Sequence, residues 1–343
     1  MADVAKADFQ LQILSSPEWQ KWDQFVRESR QGTIFQTTAY IQAFSEAFQR
    51  PAEILAVFHS QEIVGGIVVF PKNRGGLRYA TSPYLIPYNG LVIKDISADQ
   101  TYYKTLKYEQ KIITLLQAEL EKRFHYSEIS LSDDLVDIRN FVWRGWEFQP
   151  EYTVSIPLRK DMDPIDDMTH NQRRHIRKFE KEHFSFQEFT DTDVCYDLMT
   201  QSYRHHHIRP PINKTEFENF TNILLERKLL YGYVIFKGSE HLAFMMVIEH
   251  KSRVYALFSG KNFEQEHSEA ELYLHWRILQ LYREKGYELF DLLGAMSPSI
   301  SRVKLELGGV LNRRDYARFY KNSFIRLLLK IQTYRGMKKR RNL

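Results

Sequence analysis

The chain has 343 residues, of which 43% are hydrophobic and 27% charged, too long for one ordinary core, so two domains are expected. Forty-eight basic against forty-three acidic residues leave +5, a bias too small to argue for nucleic acid, and DNA is not expected as a partner. The single cysteine, Cys195, excludes an internal disulfide and a multi-cysteine metal site and fits a reducing compartment.

In chain order, Trp19 to Phe25 and Thr38 to Phe48 read as short amphipathic helices, with Phe25, Tyr40, Ile41 and Phe44 as inward candidates. Ala56 to Phe70 reads as strand, turn, strand, and Tyr103 to Phe124 as a long helix leading into the strand Glu128-Ile129-Ser130-Leu131. Val234 to Ile248 repeats the hairpin at a gapless offset of 178, matching Phe58 to Phe236 and Glu62 to Glu240. It too is followed by a helix, Glu269 to Glu284, and a strand, Glu288 to Leu292. Pattern and order thus predict an internal duplication of an α+β unit. The expected boundaries are a first domain over 1–158, a second over 159–323 and a basic amphipathic tail over 324–343. No long linker separates the halves, so a shared cleft is the default ligand site.

The stretch from Arg253 to Leu311 organises the second half. Arg253 to Ser259 has the content of a buried strand. Leu272, Trp276, Leu279 and Tyr282 then fall at helical spacing, and Gly286 stops the helix. Tyr287 to Leu293 is a second strand, ending at Gly294. Strand, covering helix and strand leave an opening where the strands end, where α/β proteins place ligands. Lys304 is expected just beyond it, on a loop ahead of Gly308 and Gly309. A cation there could stabilise an oxyanion or hold a phosphate, and a solvated lysine is the plain alternative.

Four other features could carry chemistry. Arg173, Arg177 and Lys181 line up on one helix face with Arg174 and Lys178 beside them, a phosphate-binding pattern or a solvated basic helix. His205, His206 and His207 are consecutive, a spacing unlike helical metal pairs, so a substrate-lining loop or helix end is expected and no metal. Thr81 to Gly90, with Tyr88 and Asn89, is aromatic, proline-rich and uncharged, which suits a pocket-lining loop or an ordinary connection. From Arg302 to the C-terminus, thirteen Lys or Arg stand against Glu306 and Asp315 only. A short apolar helix from Phe324 to Ile331 followed by this basic tail suits an anionic membrane surface, docking on the protein itself, or RNA phosphates. No apolar run approaches the roughly 20 residues of a membrane span and no signal-peptide core is present. A cytoplasmic location is therefore expected, peripheral on the inner face of the membrane if the tail docks there.

Several of these pieces recur in a fixed order. Tyr88-Asn89-Gly90 comes first, then Trp143-Arg144-Gly145-Trp146 leading to Tyr152-Thr153-Val154, then Arg173-x-x-Ile176-Arg177-Lys178. Tyr255 to Gly260, Ala270 to Trp276, Gly286 and Phe290-Asp291-Leu292-Leu293-Gly294 follow. This series resembles the Fem family of aminoacyl transferases, which build peptidoglycan interpeptide bridges, and the wider GNAT-like superfamily. Lys304 stands where that family's Phe-Lys-x-x-Phe-Gly motif has its lysine, with Val303 and Leu307 at the two phenylalanine positions. The helical arm that some members use for transfer RNA has no counterpart.

The resemblance implies an α+β fold of two tandem GNAT-like domains, a duplicated mixed sheet flanked by helices, with the active site in the second. It implies an acyltransferase in which a free amine attacks an activated acyl group, with no resident cofactor. The donor would be an aminoacyl-tRNA or an acyl coenzyme A, and the acceptor a nucleotide- or lipid-linked peptidoglycan precursor. Lys304 is the candidate positive charge at the transition state. Asp291 would orient the amine or relay its proton, or make a structural hydrogen bond. Arg173, Arg177 and Lys178 become phosphate candidates, with Tyr88, Asn89, Tyr255 and His207 as further substrate contacts. Coenzyme A-dependent GNAT enzymes cradle pyrophosphate on a glycine-rich turn. Lys261 to Glu269 lacks any such glycine and is acidic, which argues against ordinary coenzyme A binding. Two other readings remain: a coenzyme A-dependent N-acyltransferase acting on a sugar, lipid or amine in a polysaccharide pathway, and a non-catalytic relative that binds envelope precursors.

Overall fold

The structure is a computed structural model that describes residues 9–132, 134–135, 137–182, 184–205, 207–263 and 269–331. His206, the stretch 264–268 and the basic residues Arg335 and Lys338 to Arg341 lie outside the described residues. The chain divides into two compact units, one of residues up to Pro150 together with the segment from Arg314, the other spanning Glu151–Arg313.

The first unit opens with strand β1 (Phe9–Ile13), helices α1 (Trp19–Glu28) and α2 (Thr38–Phe48) and the hairpin β2 (Glu53–His59) and β3 (Glu62–Val69). Short strands β4 (Pro71–Arg74), β5 (Leu77–Ala80) and β6 (Val92–Ile93) follow, then helix α3 (Tyr102–Arg123), strand β7 (Tyr126–Leu131) and helix α4 (Arg139–Trp143). One sheet runs β1-β2-β3-β6. Helix α3 covers it, setting Ile112, Ile113, Leu116 and Leu120 against Leu55, Val57, Val64 and Ile67, and full burial of such a side chain stabilises by about 1.5–3 kcal/mol. Two glycines make the close approach feasible. A Cβ on Gly65 would fall 2.2 Å from Ile112 Cγ2, and one on Gly66 2.5 Å from the Trp22 ring.

Strand β8 (Glu147–Pro157) carries the chain into the second unit. There follow helix α5 (His170–Phe179), strand β9 (Ser185–Glu188), helices α6 (Thr192–His205) and α7 (Lys214–Glu226), and strands β10 (Leu230–Lys237), β11 (Glu240–His250) and β12 (Arg253–Lys261). Helix α8 (Ala270–Glu284), strand β13 (Leu289–Gly294) and helix α9 (Pro298–Glu306) complete it, and strand β14 (Val310–Tyr320) leads out of it. Within this unit the strand order is β8-β13-β12-β11-β10-β9. Helix α8 buries Leu274, Ile278 and Tyr282 against Val254, Phe290, Met245 and Tyr233. From Arg314 the chain rejoins the first unit, where β14 pairs antiparallel with β7 and residues 323–331 form a last helix, α10.

The duplication is visible in backbone detail. Hairpins β2–β3 and β10–β11 have two-residue turns, with Ser60 at φ +60° and Gly238 at φ +61°. Each also carries a β-bulge at the same place: Val57 pairs with Gly65 and Phe58 with Ile63 in the first, Ile235 with Ala243 and Phe236 with His241 in the second. Every one of these positions is related by the offset of 178. A bulge reverses which side chains face the core beyond it, so the two hairpins share one inside-outside pattern and not only a composition.

Candidate active site

Strands β12 and β13 run parallel but pair only through Arg253–Leu289, Val254–Phe290 and Tyr255–Asp291. Beyond Tyr255, β12 continues to Lys261 without that partner, so the strands part, as the sequence predicts for the opening. On its other side β13 pairs with β8, where Asp291 faces Ser155 and Gly294 faces Thr153. Two residues, Leu292 and Leu293, therefore sit opposite Val154 alone, which is a β-bulge.

That bulge is built from named contacts. Asp291 is 4% exposed. Its Oδ1 accepts the Thr153 hydroxyl at 2.6 Å and the Leu293 amide at 2.7 Å. Leu293 is held at φ +58°, a region that L-residues other than Asn and Asp seldom occupy. The carbonyls of Leu292, Leu293 and Gly294 consequently turn to a common point, where the Lys304 ammonium donates to all three at 2.6, 3.2 and 2.7 Å. An ammonium has three N–H bonds, and every one is used.

Lys304 does not lie on a loop. It stands in the last turn of α9, which begins with Ser297 at the N-cap and Pro298 in its first turn and is closed by Gly308 at φ +86°. Proline opening a helix and glycine closing it account for the difference, because the helix is too short to show apolar periodicity. Burial pushes the Lys304 ammonium down to about 8, while Asp291 and Glu271 pull it upward. The ammonium is therefore a fixed positive charge at pH 7, held at the mouth of the strand opening.

Helix α8 brings a further group, which sequence reasoning missed. His275 lies one turn after Glu271, and its Nδ1 is 2.7 Å from the Glu271 carbonyl. A carbonyl only accepts, so Nδ1 carries the proton and Nε2 holds the lone pair in the neutral ring. Burial pushes the imidazole below the ordinary histidine value; Glu271 opposes this, and the charges of Lys304 and Lys261 reinforce it. Lys261 at the end of β12 reaches the Glu271 carboxylate at 3.4 Å. The signal was present as a histidine on the first turns of the helix beside the opening, but its partners are distant in sequence.

Helix α5 is pinned at both of its neighbours. His175 Nδ1 lies 3.2 Å from Glu269, the N-cap of α8, and Gln172 donates to Glu306 at the end of α9 at 2.7 Å. Ile176 and Phe179 face the core, leaving Arg173 half-buried and Arg177 and Lys178 exposed. None of these three cations has an ion-pair partner among the described residues. Tyr255 is buried beside Asp291 in the parallel register. His207 is exposed at φ +54°, in the turn that ends α6. In the first unit, Asn89 is buried and its Oδ1 accepts the Ser130 amide at 3.0 Å. Tyr88 lies 5.0 Å beneath the Arg314 guanidinium, which donates to the Pro87 carbonyl at 2.7 Å. The second unit thus gathers Lys304, Asp291, Tyr255 and the α5 cations, whereas Tyr88 and Asn89 belong to the first.

Comparison with known proteins adds three findings. Residues 167–298 match the family described as an acetyltransferase (GNAT) domain, a span that takes in α5, the strand opening and α8 and stops short of Lys304. No curated protein matches the sequence. Among solved structures, the chain is similar to FemX at 13% identity, over 89% of this chain and 96% of that one, with a TM-score of 0.66. It is similar to the C-terminal domain of a putative lysylphosphatidylglycerol synthetase from Agrobacterium fabrum at 13% identity, 93% and 96% coverage and TM-score 0.57. It is also similar to a tandem GNAT protein from the clavulanic acid biosynthesis pathway at 9% identity, 92% and 99% coverage and TM-score 0.52. Residues 167–298 therefore form a GNAT-type acetyltransferase domain, within a chain that has a Fem-like, tandem-GNAT fold.

Proposed function

We propose that this acyltransferase forms an amide bond in cell-envelope biosynthesis, by attack of a precursor's amine on an activated aminoacyl or acyl donor. The observation that carries the reading is Lys304, a half-buried ammonium fixed on three carbonyls where β12 and β13 part. Amine attack on an ester or thioester builds negative charge on the carbonyl oxygen, and a preorganised cation in a poorly solvated site stabilises that charge without reorganising. Arg173, Arg177 and Lys178 supply phosphate contacts, on a helix held between the start of α8 and the end of α9. Such contacts suit a nucleotide- or lipid-linked precursor, or the phosphates of a tRNA donor. The names of two similar structures, FemX and a lysylphosphatidylglycerol synthetase, favour an envelope precursor or lipid as acceptor.

A second reading is a coenzyme A-dependent N-acyltransferase, favoured by the acetyltransferase description of the matched family. One experiment separates the two. Purified protein is given acyl coenzyme A or charged tRNA, each labelled in the acyl group, with a crude envelope-precursor extract as acceptor. Label moving from charged tRNA supports aminoacyl transfer, and label moving from the thioester supports the second reading. Transfer from neither donor would sink both.

The envelope reading also gives α10 a role. Ile325 is buried against Tyr79 and Tyr126. Phe324, Leu327 and Ile331 are 70%, 60% and 43% exposed. An outward apolar stripe preceding the basic residues of the C-terminus suits peripheral contact with an anionic membrane surface, where a lipid-linked acceptor would reside.

A further inference from the structure

His275 is a half-buried imidazole in the second turn of α8, and neither the fold nor the family match assigns it a role. The charges of Glu271 on the same helix, Lys261 at the end of β12 and Lys304 on α9 all act on it, and Lys261 reaches the Glu271 carboxylate at 3.4 Å. The Glu271 carbonyl fixes the ring through Nδ1, and Nε2 has no hydrogen-bond partner among the described residues. Lys304 cannot itself accept a proton while charged, and its three N–H bonds are already given to carbonyls. Amide formation must nevertheless remove a proton from the attacking nitrogen, and the imidazole, one turn beyond the Glu271 that Lys261 ties to the end of β12, has an available lone pair.

We infer that Nε2 of His275 takes the proton from the attacking amine. The inference rests on the amide-forming reading. The amine nitrogen forms a bond to the acyl carbon while the carbonyl π pair moves to oxygen, and the nitrogen's proton passes to Nε2. As the tetrahedral intermediate collapses, the bond to the ester oxygen or thioester sulfur breaks, and the leaving group takes the proton back from the imidazolium. Donor and amine become amide plus alcohol or thiol, and His275 ends neutral as it began. Lys304 is then a positioning residue for the proton transfer: its charge disfavours the imidazolium in the resting enzyme and keeps Nε2 free.

The test has two readouts on the full chain. Ring NMR of His275 gives its protonation midpoint in the wild type, in Lys304→Met and in Glu271→Gln. The midpoint is expected below that of an exposed histidine. It should rise when the lysine charge is removed and fall further when the carboxylate is removed. A midpoint unmoved by both substitutions overturns the inference whatever the donor. Glu271→Gln leaves the three carbonyls untouched, so that arm stands even if Lys304→Met folds poorly. In the transfer assay, His275→Asn keeps a donor for the Glu271 carbonyl but has no base. It is expected to lower turnover at least about 100-fold with KM little changed. Full turnover in that variant overturns the inference while leaving the transferase reading intact. A wild-type protein inactive with every donor fails the transferase reading itself, and this inference falls with it.

Discussion

Lys304 donates to the carbonyl of Leu293, the residue whose backbone is turned left-handed at φ +58°. Each feature explains the other. The left-handed turn points three successive carbonyls the same way, an arrangement of aligned dipoles that repel one another unless a cation sits among them. The cation in turn is partly withdrawn from water at small cost only because three acceptors replace its hydration.

The first prediction concerns pH. The folded-state value of Lys304 is about 8, below the 10.5 of an ordinary lysine. Between these values the unfolded chain binds a proton that the folded chain does not, so this site's contribution to stability rises with pH across that window and is least below about 8. The difference in unfolding free energy between wild type and Lys304→Met should therefore grow from pH 8 upward; a constant difference in urea titrations would contradict the burial described. Activity should move the opposite way, because the charge is lost above about 8. Lys304→Arg retains its charge and should lose the alkaline fall in kcat/KM.

A second prediction separates the two roles of Asp291. Its Oδ1 accepts from both Thr153 and Leu293, and an asparagine carbonyl can do the same. Asp291→Ala should cost about 2–3 kcal/mol in chemical denaturation, by stranding two donors. Asp291→Asn should cost less than half of that. If the two variants are equally unstable, the carboxylate is not acting through these bonds.

Third, the left-handed turn at Leu293 should respond to backbone preference more than to size. Leu293→Asn is expected to be tolerated, since asparagine visits this region readily, whereas Leu293→Ile should be worse by about 1–2 kcal/mol. Thermal unfolding of the pair decides it.

Much of this site was legible in the sequence and some of it was not. The parting strands, the helix between them and the lysine beyond could be read because apolar runs and Gly286 and Gly294 punctuate them. The duplicated hairpin was legible because its offset of 178 has no gaps. The bulge at Leu292 and Leu293 was not, since it arises from pairing with β8, more than a hundred residues earlier. His275 was invisible for a similar reason: the tie between Lys261 and its helix neighbour Glu271 is made only by the fold. Helix α7 was legible only through its capping box, Asn213 with Glu216, and not through the apolar spacing that marks α8.

Fourth, Cys195 should be inert. It is buried on α6, and burial together with Asp191 pushes its thiol well above the ordinary range. Native protein should not react with a thiol reagent such as dithionitrobenzoate at pH 8, and one equivalent should react after unfolding in guanidinium.

A fifth prediction addresses α10. Phe324→Asp with Leu327→Asp should reduce sedimentation with phosphatidylglycerol vesicles severalfold without altering thermal stability, because both side chains are exposed. Equal binding by wild type and the double variant would remove the membrane role of this helix.

The return of the chain at Arg314 bears on how the protein is made. A ribosome delivers residues from the N-terminus, and domains ordinarily close in that order. Here the second unit is one uninterrupted stretch, Glu151–Arg313, and has all its strands once that stretch has emerged. The first unit waits for β14, which pairs with β7, and for α10, which covers Tyr79 and Tyr126. During synthesis the earlier half therefore stays open along β7 while the later half is already closed. Any premature stop after Arg313 would release a molecule with a complete second unit and a bare strand edge in its first.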